Sequence, residues 1–234
     1  MIAKQLVIGI TERGDAGLNF YWEKEYKLQR CDGVILITKH LSPHFIERAA
    51  EYNSIVHATI TGYGGTVIEP NVKPWHQSSD LFGQLVDRIG AERVVLRIDP
   101  IIPGKWETAY QIYQKLHMNA EIKTRVRISF LDNYPHTKAR FMAEGIQPEP
   151  YNFHAPLTQR MTIAAHFPDA EICGEPGMPC TGCVSEKDLS ILNIPRMPSP
   201  KGYQRPACQC LAAKKELLKH RGQCQSGCLY CYWK

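Results

Sequence analysis

The chain has 234 residues, 44% of them hydrophobic and 22% charged, with 28 Lys plus Arg against 23 Asp plus Glu and a formal charge of +5. That length suits one large domain or two small ones, burying roughly 70–75% of the unfolded surface, so a core can form without crosslinks. No apolar run approaches the eighteen or so residues of a bilayer span. The opening "MIAKQLVIGITERGD" turns to charge too soon for a secretory signal, so a cytoplasmic protein with no membrane partner is expected, and the mild basicity permits a polyanionic substrate without requiring one.

Short β-branched runs recur along the first three quarters of the chain. They are "QLVIGI" (5–10), "GVILIT" (33–38), "SIVHATI" (54–60), "RVVLRI" (93–98), "TRVRISF" (124–130) and, more weakly, "AEIC" (170–173). Most are continuously apolar rather than alternating, which fits strands covered on both faces. Between them lie helical patterns. "SPHFIERAAEY" (42–52) opens on a Ser cap with Pro at the first helical position. "SSDLFGQLVDRIG" (78–90) sets Leu81, Leu85 and Ile89 on one stripe and stops at Gly90, and "WETAYQIYQKLH" (106–117) reads alike. Strands alternating with helices imply parallel pairing through right-handed crossovers. The expected fold is α/β, a partial (β/α)6 TIM-like barrel over residues 1–174, with an open Rossmann-like sheet as the alternative. Residues 175–234 are rich in Pro, Gly and Cys, with only "AAKKELLKH" (212–220) looking helical. This irregular segment of the same domain is expected to cover the carboxyl ends of the strands, ordered by bound metal.

In a barrel the chemistry sits at those carboxyl ends, and here they are polar: "TKH" (38–40), "TGYGG" (61–65), "RIDP" (97–100) and "SFLDNY" (129–134). Any one such loop is equally explained by solvation, but four converging on one rim favour a site. Lys39 and His40 follow the second strand, where a proton-transfer group would act. Arg97 and Asp99 alternate on the fourth strand, so both would face the interior and need a ligand or each other. Asp132, with Asn133, is placed to hold substrate hydroxyls or amides. Lys39, Asp99 and Asp132 are the candidate catalytic residues. Gly62, Gly64 and Gly65 would let a ligand approach the backbone; Tyr63 would stack on an adenine or nucleobase, or merely close the turn.

Nine cysteines, eight of them beyond residue 170, are many for a chain without a secretory signal, and tight C-x-C and C-x-x-C spacings suit metal better than disulfides. Cys224, Cys228 and Cys231 form C-x3-C-x2-C near the C-terminus. Three thiolates on one turn match three corners of a [4Fe–4S] cube and leave one iron open. The alternative is zinc completed by a residue such as His220. Cys31 stands alone and reads as a buried free thiol.

With Tyr230 before Cys231, the pattern C-x3-C-x-aromatic-C resembles the motif of the radical S-adenosylmethionine (SAM) superfamily. The resemblance implies SAM chelated to the open iron, reductive cleavage to a 5′-deoxyadenosyl radical, hydrogen abstraction from substrate, and an electron donor such as flavodoxin or ferredoxin. In most members this motif follows the first strand; here it comes last, which implies a rearranged barrel whose tail folds back over the strand ends. The order "VILITKH", "ATITGYGGTVIEPNV", "ERVVLRIDPII", "RISFLDNYPHTK", "ICGE", "GCVS", "QRPACQC" and "CLYCY" is similar to a family of bacterial and phage domains of unknown function, grouped loosely with radical SAM and spore-photoproduct-lyase-like proteins. The chain departs from that pattern in "AAKKELLKH" and around 145–165.

The family resemblance implies that Cys173, Cys183, Cys208 and Cys210 hold a second site, a [4Fe–4S] cluster or zinc, with Cys180 as an alternative to Cys173. It also makes Tyr230, Gly62, Tyr63, Gly64, Arg97 and Glu175 candidate cofactor-binding residues, with Arg97 on the SAM carboxylate. Phage relatives imply a DNA- or nucleoside-linked substrate, such as a glycyl-bearing thymine base isomerised from nitrogen to carbon linkage. The leading expectation is a radical SAM isomerase or lyase. The alternatives are an iron–sulfur electron-transfer protein, which would gain nothing from an open iron, and a zinc-stabilised nucleic-acid-binding protein, which would not need the barrel-like body.

Overall fold

The computed structural model describes residues 6–24, 28–132, 134–147, 155–195, 207–218 and 224–233. All six apolar runs are strands: β1 (Ile8–Ile10), β2 (Gly33–Thr38), β3 (Ser54–Thr59), β4 (Val94–Ile101), β5 (Arg125–Phe130) and β6 (Ala170–Ile172). They pair in parallel in the order of the chain, and a seventh strand, β7 (Lys214–Glu216), adds in parallel to the outer edge of β1. Every residue of β2, β3 and β5 is buried, as continuous apolar runs require.

Because each strand from β2 to β6 lies beside its predecessor, the right-handed crossovers between them all leave on the same side of the sheet. Helices α1 (Pro43–Ala50), α2 (Trp75–Ile89), α3 (Trp106–Tyr113) and α5 (Leu157–Ala164) bring Phe45, Phe82, Leu85, Ile112 and Ile163 into one core with Val34, Leu36, Val56, Ala58, Leu96 and Ile128 of the strands. As the sequence suggests, Ser42 caps α1, accepting from Phe45 N–H at 3.1 Å. α3 runs on into a π-helical turn, Gln114–Met118.

The opposite face is covered by the cysteine-rich tail instead of helices from the crossovers. Ile8, Ile10, Ile35, Ile37, Ile55 and Val95 pack against Val184, Leu189, Leu192 and Leu211, together with Cys173, Cys183 and Cys210. The strand order runs one way from β1 to β6 and reverses only where β7 joins the far edge of β1. Among the described residues β6 and β7 are the sheet edges, and closure into a barrel is not part of the structure.

Two expectations for the tail are corrected. The stretch taken as a helix at 212–220 is instead β7 over Lys214–Glu216. Its backbone completes the β1 edge, Leu217 N–H donates to Ile10 O, and Leu217 and Leu218 are buried behind it; His220 lies outside the described residues. A helix occurs earlier, at α6 (Glu186–Ile191), where Ser185 and Asp188 form a capping box. Helix α4 (Pro135–Ala143) follows β5.

Candidate metal centres

Four thiols meet on the tail-covered face. Cys173 leaves the end of β6, and its Sγ lies 3.6 Å from that of Cys183. Cys183 N–H donates to Cys210 Sγ at 3.2 Å, Leu211 N–H donates to Val184 O, and the thiols of Cys210 and Cys208 are hydrogen-bonded. The two cysteine segments touch so closely that a Cβ on Gly182 would lie 2.5 Å from Gln209 O. This is why glycine precedes Cys183. Cys180 points elsewhere, its sulfur bonded at 3.1 Å to both N and O of Glu175. Of the two alternatives, Cys173 is therefore the one that joins the group.

The sequence reading missed a fifth member. The Glu12 carboxylate lies with the Cys183 and Cys210 sulfurs in a group whose atoms are all within 4.8 Å of one another. Lys214 holds that carboxylate at 2.8 Å, and burial, then the neighbouring Cys183, push Glu12 above the usual carboxylate range. Beneath the thiols lie buried cationic groups. Arg127 donates to Glu171 and reaches His57 Nε2 at 3.4 Å; among the described residues Arg127 Nε, Arg97 Nε and His57 Nδ1 have no hydrogen-bond partner. Hydrogen bonds from Cys173 and Cys210, aided by Arg127, hold Cys183 far below an ordinary thiol, while Cys173 and Cys210 are pushed up by their bonds to it and by burial. A sulfur that ionises first, set over unpaired guanidinium N–H groups, is an environment built for negative charge. Metal–thiolate centres supply such charge.

The second thiol group lies across the carboxyl ends of the strands. Cys224, Cys228 and Cys231 are half-buried, and charge at Cys224 would count against ionising both Cys228 and Cys231. Burial drives Cys228 up to about 12, with Lys39 opposing. The loop is anchored on every side. Leu229 N–H donates to Ile68 O, Asn71 to Gln225 O at 2.8 Å, and His40 Nε2 lies 2.9 Å from Ser226 Oγ. Arg140 on α4 donates to the carbonyls of Cys231 and Trp233 at 2.6 and 2.9 Å, and His136 Nε2 meets Tyr232 O at 2.8 Å. Residues after β2, β3 and β5 thus all grip the tail.

The expected site residues divide accordingly. Lys39 lies under the trio. Its ammonium pairs with Glu69 at 3.0 Å and sits 5.3 Å over the Tyr230 ring. Burial works against its charge, but Glu69 and Cys228 keep its pKa above the ordinary lysine value. Glu69, which no sequence pattern flagged, also accepts from the Tyr230 hydroxyl. Arg97 and Asp99 form an ion pair, so the internal pairing weighed for them exists. Burial opposes the Arg97 charge too, while Asp99, Cys183, Cys173 and Tyr232 favour it. Asp132 lies in the β5–α4 turn, its carbonyl accepting from Tyr134 N–H; Asn133 lies outside the described residues.

Three expectations change. Tyr63 is buried; its hydroxyl accepts from Ile102 N–H at 2.9 Å, and its ring packs with Leu229 and Tyr230. It closes the loop and seats the tail, with no face open to an adenine. Gly62 and Gly64 serve internal packing, since a Cβ would come within 2.4 Å of Thr108 Cγ2 at the first and 2.1 Å of Lys73 O at the second. Their cleft, shared with Lys39 and Glu69, has about 10 Å³ of free space, at most one water. Glu175 is wholly buried, accepting from Phe130 N–H at 2.8 Å and Arg160 at 3.0 Å, so its carboxylate ties β5 to α5.

Residues 18–233 match the family described as a domain of unknown function, DUF1848. The match spans most of the chain, which belongs to that family. No curated protein and no solved structure was found to match it.

Proposed function

We propose that this DUF1848 protein is a radical SAM enzyme in which Cys224, Cys228 and Cys231 hold a [4Fe–4S] cluster with one open iron. The observation that carries the reading is the seating of these three thiols, with no fourth cysteine beside them among the described residues, on the loops that follow the strands and next to Lys39. When bound, such a cluster supplies the electron that cleaves SAM. The chain's own residues do the positioning. Arg140 and His136 fix the carbonyls around Cys231, Glu69 fixes Tyr230, and the Lys39 ammonium offsets thiolate charge at Cys228. Arg97, already paired with Asp99, is the group that would meet an incoming carboxylate. Cys173, Cys183, Cys208 and Cys210 form the second site, which pins the tail to the sheet.

We propose zinc as the occupant of that second site, held tetrahedrally by four of these donors, Glu12 among the candidates because zinc accepts mixed sulfur and oxygen ligands. As substrate we propose a nucleobase-linked compound such as a modified thymine in DNA, on the resemblance to phage relatives. The test is anaerobic incubation with SAM, a reductant and candidate DNA. The reading predicts 5′-deoxyadenosine, its absence in Cys228→Ala, and an altered nucleoside by mass spectrometry. Unchanged nucleosides despite 5′-deoxyadenosine would remove the substrate while leaving the enzyme class standing.

A further inference from the structure

At the other end of the strands from the tail trio, a cleft of about 350 Å³ opens beside the starts of β5 and β6. It is lined by His117, Lys123, Thr124, Arg125, Asp169 and Lys187, among others. Its size falls within the range of small-ligand pockets, and neither thiol group contributes to it.

Two of the lining side chains are more than nine-tenths buried, His117 at 4% and Thr124 at 5% exposed. Among the described residues neither ring nitrogen of His117 has a hydrogen-bond partner, and neither does Thr124 Oγ1. His117 Nε2 lies 3.5 Å from Asp169 Oδ2, outside hydrogen-bond geometry, and Asp169 itself is largely exposed. Buried polar atoms are rarely left unpaired, and three in one cleft point to a partner the protein itself does not provide. His117 also stands on the π-helical turn after α3, a rare local geometry that recurs at functional sites.

The charges say what that partner is. Arg125 is fully engaged, donating to Glu171 and Asp188, and Glu171 is in turn saturated by Arg125 and Arg127. Lys187 keeps only a 3.5 Å contact with Glu171, and Lys123 has no ion pair among the described residues. With the Glu171 carboxylate that also lines the cleft taken up by the two arginines, what is left facing it is an imidazole, a hydroxyl and two ammonium groups against the Asp169 carboxylate. A convergent set of donors suits an anion with several acceptor oxygens. We propose that this cleft binds a phosphoryl group, either as free phosphate or carried by a small metabolite. Its volume, about ten waters' worth, exceeds what one phosphate fills.

The test is calorimetric titration of the anaerobically purified protein with inorganic phosphate and, separately, with a nucleoside monophosphate, each against chloride at equal ionic strength. Saturable binding of phosphate is expected, with Lys123→Ala and Thr124→Val each weakening it about tenfold, the loss of one strong hydrogen bond. Iron content and melting temperature in chloride should stay unchanged in Lys123→Ala, whose side chain is exposed. Tighter binding of the monophosphate would assign a metabolite, and equal binding would assign free phosphate. No saturable response beyond the chloride control, or equal affinity in both variants and the parent, would overturn the proposal.

Discussion

The Tyr230 hydroxyl donates to the Glu69 carboxylate oxygen that also receives the Lys39 ammonium at 3.0 Å. A side chain inside the cysteine loop is thereby fixed to the loop after β3, through a carboxylate buried to 1% exposure. Hydrogen bonds to charged groups contribute roughly 1.5–3 kcal/mol. Tyr230→Phe should accordingly raise amide exchange across residues 224–233 by about 10- to 100-fold. Glu69→Gln should do more, because it also leaves the buried Lys39 ammonium without its counter-charge. Exchange mass spectrometry reads both; unchanged protection in the two variants would show that the loop is held by other contacts.

Arg140 is the second anchor, donating to the Cys231 and Trp233 carbonyls from α4. Arg140→Ala should leave the β-sheet core and its melting temperature nearly unaltered while exposing the C-terminus to limited carboxypeptidase digestion. Digestion no faster than in the parent protein would remove Arg140 from this role.

The two thiol groups are separate sites in this account, so their losses should be separable. Cys228→Ala should lower iron by about four atoms per chain, the content of one cluster, without disturbing metal at Cys183 and Cys210. Cys183→Ala should strip the second metal and destabilise the sheet face packed by Leu189 and Leu192. Metal analysis of anaerobic samples checks both, and a simultaneous loss of all metal from either variant would show a single coupled centre.

Burial on β7 raises Glu216 from about 4.5 to about 7, against the N–H groups of Leu218 and Glu12 that its carboxylate accepts from. A carboxyl whose folded pKa is raised favours the folded state fully below its unfolded value, and that contribution is lost as pH rises through 7. Urea stability should fall between pH 5 and 8 by roughly 1–2 kcal/mol after discounting for partial exposure. Glu216→Gln should flatten the slope, and an unchanged pH profile in that variant would assign it to other groups.

The sheet was legible in the sequence because its strands are buried on both faces, so β-branched runs such as "GVILIT" had no competing pattern. β7 was not, since Lys214 and Glu216 lie at an edge and "KKELL" carries the spacing of a helix; tertiary pairing with β1 and the Glu12–Lys214 bridge overrode local preference. The Ser185–Asp188 cap of α6 was readable, but the helix is six residues long and its pattern was swamped by Pro, Gly and Cys. The cysteine groupings followed from spacing and resemblance. Glu12 and Glu69 left no trace because a lone acid in a loop looks like any solvated one, and only the fold brings each against thiols or an aromatic ring. Tyr63 misled because a Gly-flanked aromatic reads the same whether it stacks on a ligand or packs inward.

The most direct measurement is the EPR spectrum of the reduced, anaerobically purified protein before and after SAM is added. An open iron held by Cys224, Cys228 and Cys231 predicts a [4Fe–4S]+ signal that changes on SAM binding and vanishes in Cys228→Ala. Protein carrying zinc alone, or a cluster signal that SAM leaves untouched, would contradict the account.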